Sequence, residues 1–132
     1  MKRLIAALTG ISIMFFAGCA GDKATKDALK NAEVLMDERP DSALAILTSM
    51  PQNKLITREL KARYSLLYAA ALDKNYIDTT NLDIILPAIE YYSKYGTPVE
   101  KMKTYFYAKL IHKCLQQLKS GNKTNIHQLI NR

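Results

Sequence analysis

Apolar positions recur every three or four residues along most of the chain, and no stretch alternates apolar with polar as a half-buried strand requires, so the pattern predicts an all-α protein. Ala28, Ala32, Leu35 and Met36 set a first helix over about residues 25–38. Pro40 closes it, because the residue before a proline is pushed out of the helical region. Pro40 also suits the first turn of a second helix, with Asp41 beside the positive end of the helix dipole and Ala43, Leu44, Leu47 and Met50 as the apolar face. The third helix gives the clearest signal: Leu60, Tyr64, Leu67, Tyr68, Ala71 and Leu72 trace one face, Thr57 is a fit N-cap, and the helix should end near Asn75. Past a loop through Asp78-Thr79-Thr80-Asn81, a fourth helix is expected with Leu82, Ile85, Leu86, Ile89 and Tyr92 inward and Gly96 as a left-handed cap. Pro87 lies inside that pattern and predicts either a kink or a later start. Thr97-Pro98-Val99-Glu100 reads as a capping box opening a fifth helix that runs to about Lys119. Ser120-Gly121-Asn122 should break it, and Ile126, Leu129 and Ile130 suggest a short last helix. Short connections make successive helices antiparallel, so the expected architecture is a stack of two helical hairpins plus a third with a stunted second arm.

The N-terminus follows a different pattern. Lys2 and Arg3 precede an apolar stretch from Leu4 to Phe16, and then comes Ala17-Gly18-Cys19-Ala20, the layout of an export signal. Thr9, Gly10 and Ser12 interrupt the stretch, which is well short of the roughly 20 residues that span a bilayer as a helix. The cysteine directly after the small residues sets a lipoprotein signal apart, and Phe16-Ala17-Gly18-Cys19 resembles the lipobox of such signals, with Phe16 where leucine is commonest. Residues 1–18 are therefore expected as a signal peptide, Cys19 as the lipidated residue at the head of a short tether over residues 19–24, and residues 25–132 as the helical domain. The competing reading is a soluble secreted protein cut near Ala17 or Ala20. Two acyl chains hold a protein stably on a membrane where one does so only marginally.

Charge changes this picture little. The chain holds 19 Lys and Arg against 12 Asp and Glu, and basic residues still outnumber acidic ones once Lys2 and Arg3 leave with the leader. A basic surface can signal nucleic acid, but an exported protein meets little of it and these residues are dispersed; a solvated helix surface near anionic lipid headgroups accounts for them without a nucleic-acid partner. With Cys19 acylated, only Cys114 remains, so no internal disulfide can form. His112 and Cys114, two apart on a helix, point to nearly opposite sides and cannot share a metal; Cys114 is expected as a small core residue. His127 lacks a neighbouring carboxylate in sequence. Zinc-protease, phosphate-loop, nucleophile-elbow and paired-cysteine motifs are all missing, which predicts a protein without enzymatic activity, metal or cofactor.

Several clusters look familiar together: Pro40-Asp41-Ser42-Ala43-Leu44 with Leu47; Ala62-Arg63-Tyr64 with Leu66-Leu67 and Ala71-Leu72-Asp73-Lys74; Ala88-Ile89 with Tyr91-Tyr92 and Tyr95-Gly96; and Met102 with Tyr105 and Tyr107-Ala108. Over most of residues 25–112 the chain resembles the N-terminal region of bacterial lipid-anchored tetratricopeptide-like proteins. The resemblance implies stacked hairpins that bind other proteins at the cell envelope of a Gram-negative bacterium, with the outer membrane the expected location. Longer members carry further repeats and often a membrane helix with a cytoplasmic part; this chain, ending at Arg132, is expected to be a short form or a truncated one. The repeat is degenerate, since Asp41 and Asp83 occupy similar places 42 residues apart, against about 34 in the standard repeat.

Tyr91, Tyr92, Tyr95, Tyr105 and Tyr107 come from two successive helices. Tyr92, Tyr105 and Phe106 compete for inward positions, which leaves Tyr91, Tyr95 and Tyr107 as candidates to line a partner-binding groove; filling the edge of the core is the competing reading. The fifth helix carries a broad apolar surface of Phe106, Leu110, Ile111, Leu115 and Leu118 that the residues after it are too few to cover. Leu115 and Leu118 are therefore the expected contacts for self-association or partner docking. The favoured function is a lipid-anchored module that binds a protein or peptide. The alternative is a structural or regulatory fragment completed by its partner.

Overall fold

The computed structural model describes residues 22–130, with side chains described through residue 121. Cys19 and the leader lie outside them. The described chain is all-helical: α1 covers residues 22–35, α2 Pro40–Ser49, α3 Arg58–Lys74, α4 Leu86–Tyr95 and α5 Pro98–Ile130, with 3₁₀ turns at Gln52–Lys54 and Leu82–Ile84.

Local chemistry explains most of the boundaries. α1 is helical by residue 22, earlier than the expected residue 25, so the polar segment after Cys19 is shorter than the periodicity implied. Lys26 donates to Asp22 at 2.8 Å across the first turn, and Thr25 is buried rather than lying at a frayed end. Pro40 occupies the first turn of α2 with Asp41 beside it. The Thr57 hydroxyl accepts from the Leu60 amide at 3.1 Å and caps α3. At the start of α5 the Thr97 amide donates to Glu100 at 2.7 Å while the Glu100 amide donates to the Thr97 hydroxyl at 3.3 Å, the reciprocal pair of a capping box.

Two expectations are corrected, and the choice left open at Pro87 is decided. The left-handed helix cap is Tyr76, with φ 58°, and not Gly96. The amide of Tyr76 donates to Asp73 and that of Ile77 to Leu72, so α3 ends in a complete Schellman motif with tyrosine where glycine is usual. Gly96 is extended (φ −74°, ψ 151°); it is glycine because a Cβ there would sit 2.7 Å from the Tyr92 carbonyl oxygen. Pro87 marks a later start, since Leu82–Ile84 form a 3₁₀ turn and Pro87 sits in the first turn of α4. That offset turns Leu86 outward to 42% exposure. Finally, α5 runs unbroken past Ser120-Gly121-Asn122. One glycine in a helix costs only about 1 kcal/mol, too little to end a helix without a competing turn.

The core has two halves with α3 between them. Leu29, Ala32 and Met36 of the first hairpin, with Ala43 and Leu47 of α2, pack on Leu60, Leu67, Ala70 and Ala71; on the other side Ile85, Ala88, Tyr92 and Ile111 pack on Ala62, Leu66 and Ala69. α3 is therefore apolar on two faces, although the periodicity marked only the first. Its alanines let the neighbours approach closely, and buried Ser65 is satisfied by donating to the Ile84 carbonyl. The Asn75 side-chain amide ties the end of α3 to the Pro40 carbonyl at 2.8 Å.

Candidate functional site

Two ion pairs show the relative direction of α1 and α3. Arg63 reaches Glu33 of α1 at 2.7 Å and Lys74 reaches Asp37, in the turn that follows α1, at 2.9 Å, so residue numbers rise together along the two segments and the helices run parallel. α5 joins them in the same sense: close to its start Glu100 lies near Tyr92, which also feels Arg63 of α3, and further along Tyr107 lies near Asp73 and Lys74. The three helices, with Tyr92 of α4, line a groove of about 650 Å³. Leu66, Leu67 and Ala70 form its floor, Tyr92 and Tyr107 its aromatic part, and Glu33, Asp37, Arg63, Lys74, Glu100 and Lys103 its polar lining, with Val99 open to solvent at one edge.

The electrostatics of this groove are ordered but nearly balanced. Hydrogen bonding to Lys74 lowers the Asp37 carboxyl below its usual range, and the same bond raises the Lys74 ammonium. Both groups are exposed, so the pair orients side chains more than it stabilises the fold. Burial raises the Tyr107 hydroxyl, reinforced by Asp73. It pushes Tyr92 up to about 12, with Glu100 adding to the effect.

Tyr92 therefore stays protonated in the folded protein at a pH where an unfolded tyrosine, near 10, ionises. The folded state keeps this contribution below about pH 10 and loses it as pH rises from about 10 to about 12. Denaturant melts should show a lower midpoint near pH 11 than near pH 9, and Tyr92→Phe should flatten that decline. Equal alkaline sensitivity in the two proteins would assign the effect to other groups.

The expected tyrosine groove is divided in two. Tyr91 and Tyr95 touch, with ring centroids 5.2 Å apart, but they line a different groove, between α3 and α4. Tyr107 is half-buried where the two core halves meet and lies in the groove of α1, α3 and α5. Tyr105 and Phe106, expected to compete for the interior, are 64% and 54% exposed, because α5 turns Thr104, Ala108 and Ile111 toward α3 and α4 instead. Lys109 lies over the Tyr105 ring at 5.3 Å. Leu115 is half-buried, and Leu118 is 53% exposed where α5 extends beyond the body.

His112 and Cys114 diverge as their spacing implies. His112 is exposed near Phe106 and bonded to Gln116 at 2.9 Å. Cys114 is half-buried rather than a core residue, and its Sγ lies 4.0 Å from the Asp78 carboxylate beside a small cavity of about 290 Å³. Among the described residues no group of three or more His, Cys, Asp or Glu side chains could hold a metal, and no helix is long and apolar enough to cross a membrane. The His127 side chain and Cys19 lie outside what is described. Sequence reasoning missed Glu33, Asp37, Arg63, Lys74 and Lys103 as groove residues, since the charges they face sit at least 30 positions away and leave no local signal. Comparison of the chain with known protein families, with curated proteins and with solved structures finds no match.

Proposed function

We propose that the protein is a lipid-anchored binding module, held at the cell envelope through Cys19, that receives a segment of a protein partner in the groove of α1, α3 and α5. The observation that carries this reading is the groove itself. Three parallel helices present an apolar floor flanked by paired charges, a surface that can bury a partner's apolar side chains while polar groups set its register. Stacked hairpins that align alternate helices along one face are what a tetratricopeptide-like architecture would provide, and the export-type N-terminus supports the envelope location. A second reading, in which another polypeptide or a second copy completes the stack on α5, rests on the exposed Met102, Phe106 and Leu118.

Photo-crosslinking in the native host separates the two. A photoreactive residue at Lys103 should capture a defined partner and one at exposed Thr48 on α2 should not. Val99→Glu should weaken capture at Lys103 about tenfold, as a charge at the exposed edge replaces apolar contact worth about 1.5 kcal/mol. Capture from a third probe at Leu118 and not from Lys103 would shift the assignment to the α5 surface. Capture from neither position would sink both readings.

A further inference from the structure

The end of the molecule nearest Cys19 carries a second groove whose charge does not balance. α1 and α3 begin at that end, since they run parallel and Lys26 feels the carboxylate of Glu59. α4 runs the opposite way, with Ser65 of α3 against Ile84 just before it, so α4 finishes there and brings Lys94 and Tyr95 beside Arg58 and Lys61. The resulting groove, of about 600 Å³, is lined by Arg58, Lys61 and Lys94 with Tyr91, Tyr95 and a single carboxylate, Glu90. Among the described residues none of the three cations is in an ion pair, in contrast to Lys26, Arg63 and Lys74. Tyr95 is 70% exposed, and its ring lies tilted against that of Tyr91 at the groove wall.

Cys19 precedes residue 22 by three positions, and three residues span at most about 11 Å. An anchor at Cys19 therefore holds this end of the bundle against the lipid surface and leaves it little freedom to turn away. We propose that the groove between α3 and α4 docks the phosphate headgroup of an anionic phospholipid, with Arg58, Lys61 and Lys94 contacting the phosphate and Tyr91 and Tyr95 resting at the headgroup level; this rests on the lipid-anchor reading. The chemistry suits that occupant. Cations near an anionic leaflet each contribute about a fivefold factor in association. Tyrosine, with an apolar ring and a polar tip, favours the membrane interface. Docking would fix how the bundle stands on the membrane and so which way the partner groove faces.

The chain has no tryptophan, so Tyr95→Trp supplies a single fluorescent reporter at an exposed position. The lipidated full chain carrying it is reconstituted in phosphatidylcholine vesicles with or without phosphatidylglycerol, with a spin-label quencher at the headgroup level. Quenching should rise with phosphatidylglycerol, and Arg58→Gln, Lys61→Gln and Lys94→Gln should each lower the docked-to-free ratio about fivefold. A protein whose mass shows lipid on Cys19 but whose quenching ignores phosphatidylglycerol and these substitutions overturns the headgroup site and leaves the anchor standing. Relief of quenching by inorganic phosphate as complete as that from omitting phosphatidylglycerol assigns the groove to free phosphate, against the proposal. Unchanged quenching with loss of a cross-linked protein in the triple variant assigns it to an acidic protein segment. A mass showing unmodified Cys19 overturns the anchor reading and the proposal with it.

Discussion

Leu47→Asp should leave the protein largely unfolded at neutral pH, while Thr48→Asp, one position along the same helix, should be nearly silent. Leu47 has no solvent exposure, and it packs with Leu29, Ala43 and Leu67 where α2 meets α1 and α3. The substitution forfeits about 1.5–3 kcal/mol of apolar burial and adds several kcal/mol for a carboxyl group with no partner in that layer. Together these rival the about 5–15 kcal/mol that holds a domain folded. Thr48 is exposed and, among the described residues, bonds to the Leu44 carbonyl of its own helix, so its replacement should fall within about 0.5 kcal/mol. Circular dichroism during thermal melting reads the contrast. Melting of both variants like the parent would rule out the packing of α2 on α3 through Leu47.

Cys19→Ser should change the fate of the protein in the cell more than any substitution in the helical domain. The sulfur of Cys19 is the expected acceptor of the diacylglyceryl group, and a hydroxyl is a much poorer nucleophile than a thiolate. Two acyl chains separate stable anchoring from none, so the variant should retain its leader or lose the membrane altogether. Intact mass and fractionation after a high-salt wash decide it. A variant that matures to the parent's mass and stays membrane-bound would end the lipoprotein proposal. The helical domain should fold unchanged in either case, because its core runs from Leu29 to Ile111, well after Cys19.

The helices and many of their ends were legible because their causes are local. The spacing of Leu60, Tyr64, Leu67 and Ala71 needs only the helical repeat, and the Thr57 cap, the Thr97–Glu100 box and Pro40 in a first turn involve groups within a few residues of one another. Local chemistry misled where two local solutions differ little in energy. Gly96 offered a left-handed cap, but α4 needed a residue without a Cβ against Tyr92 and left it extended. Tyr76 took the left-handed position although its side chain disfavours it by about 1–2 kcal/mol, because the two closing hydrogen bonds and the Asn75 contacts finish α3 there.

The sequence by itself determined the all-helical class and the order of the five helices. Only the tertiary structure decided which residues share a surface. Ala62, Leu66 and Ala69 become core because α4 and α5 cover a second face of α3, and Tyr107 parts from Tyr91 and Tyr95 because α5 and α4 turn them into different grooves. Glu33 meets Arg63, and Arg58 and Lys61 meet Lys94, across hairpins whose members are about 30 positions apart. The physical reason is one of range: periodicity and capping report forces that act within a turn or two of helix, whereas a groove is made by side chains that only the packing of whole helices brings together.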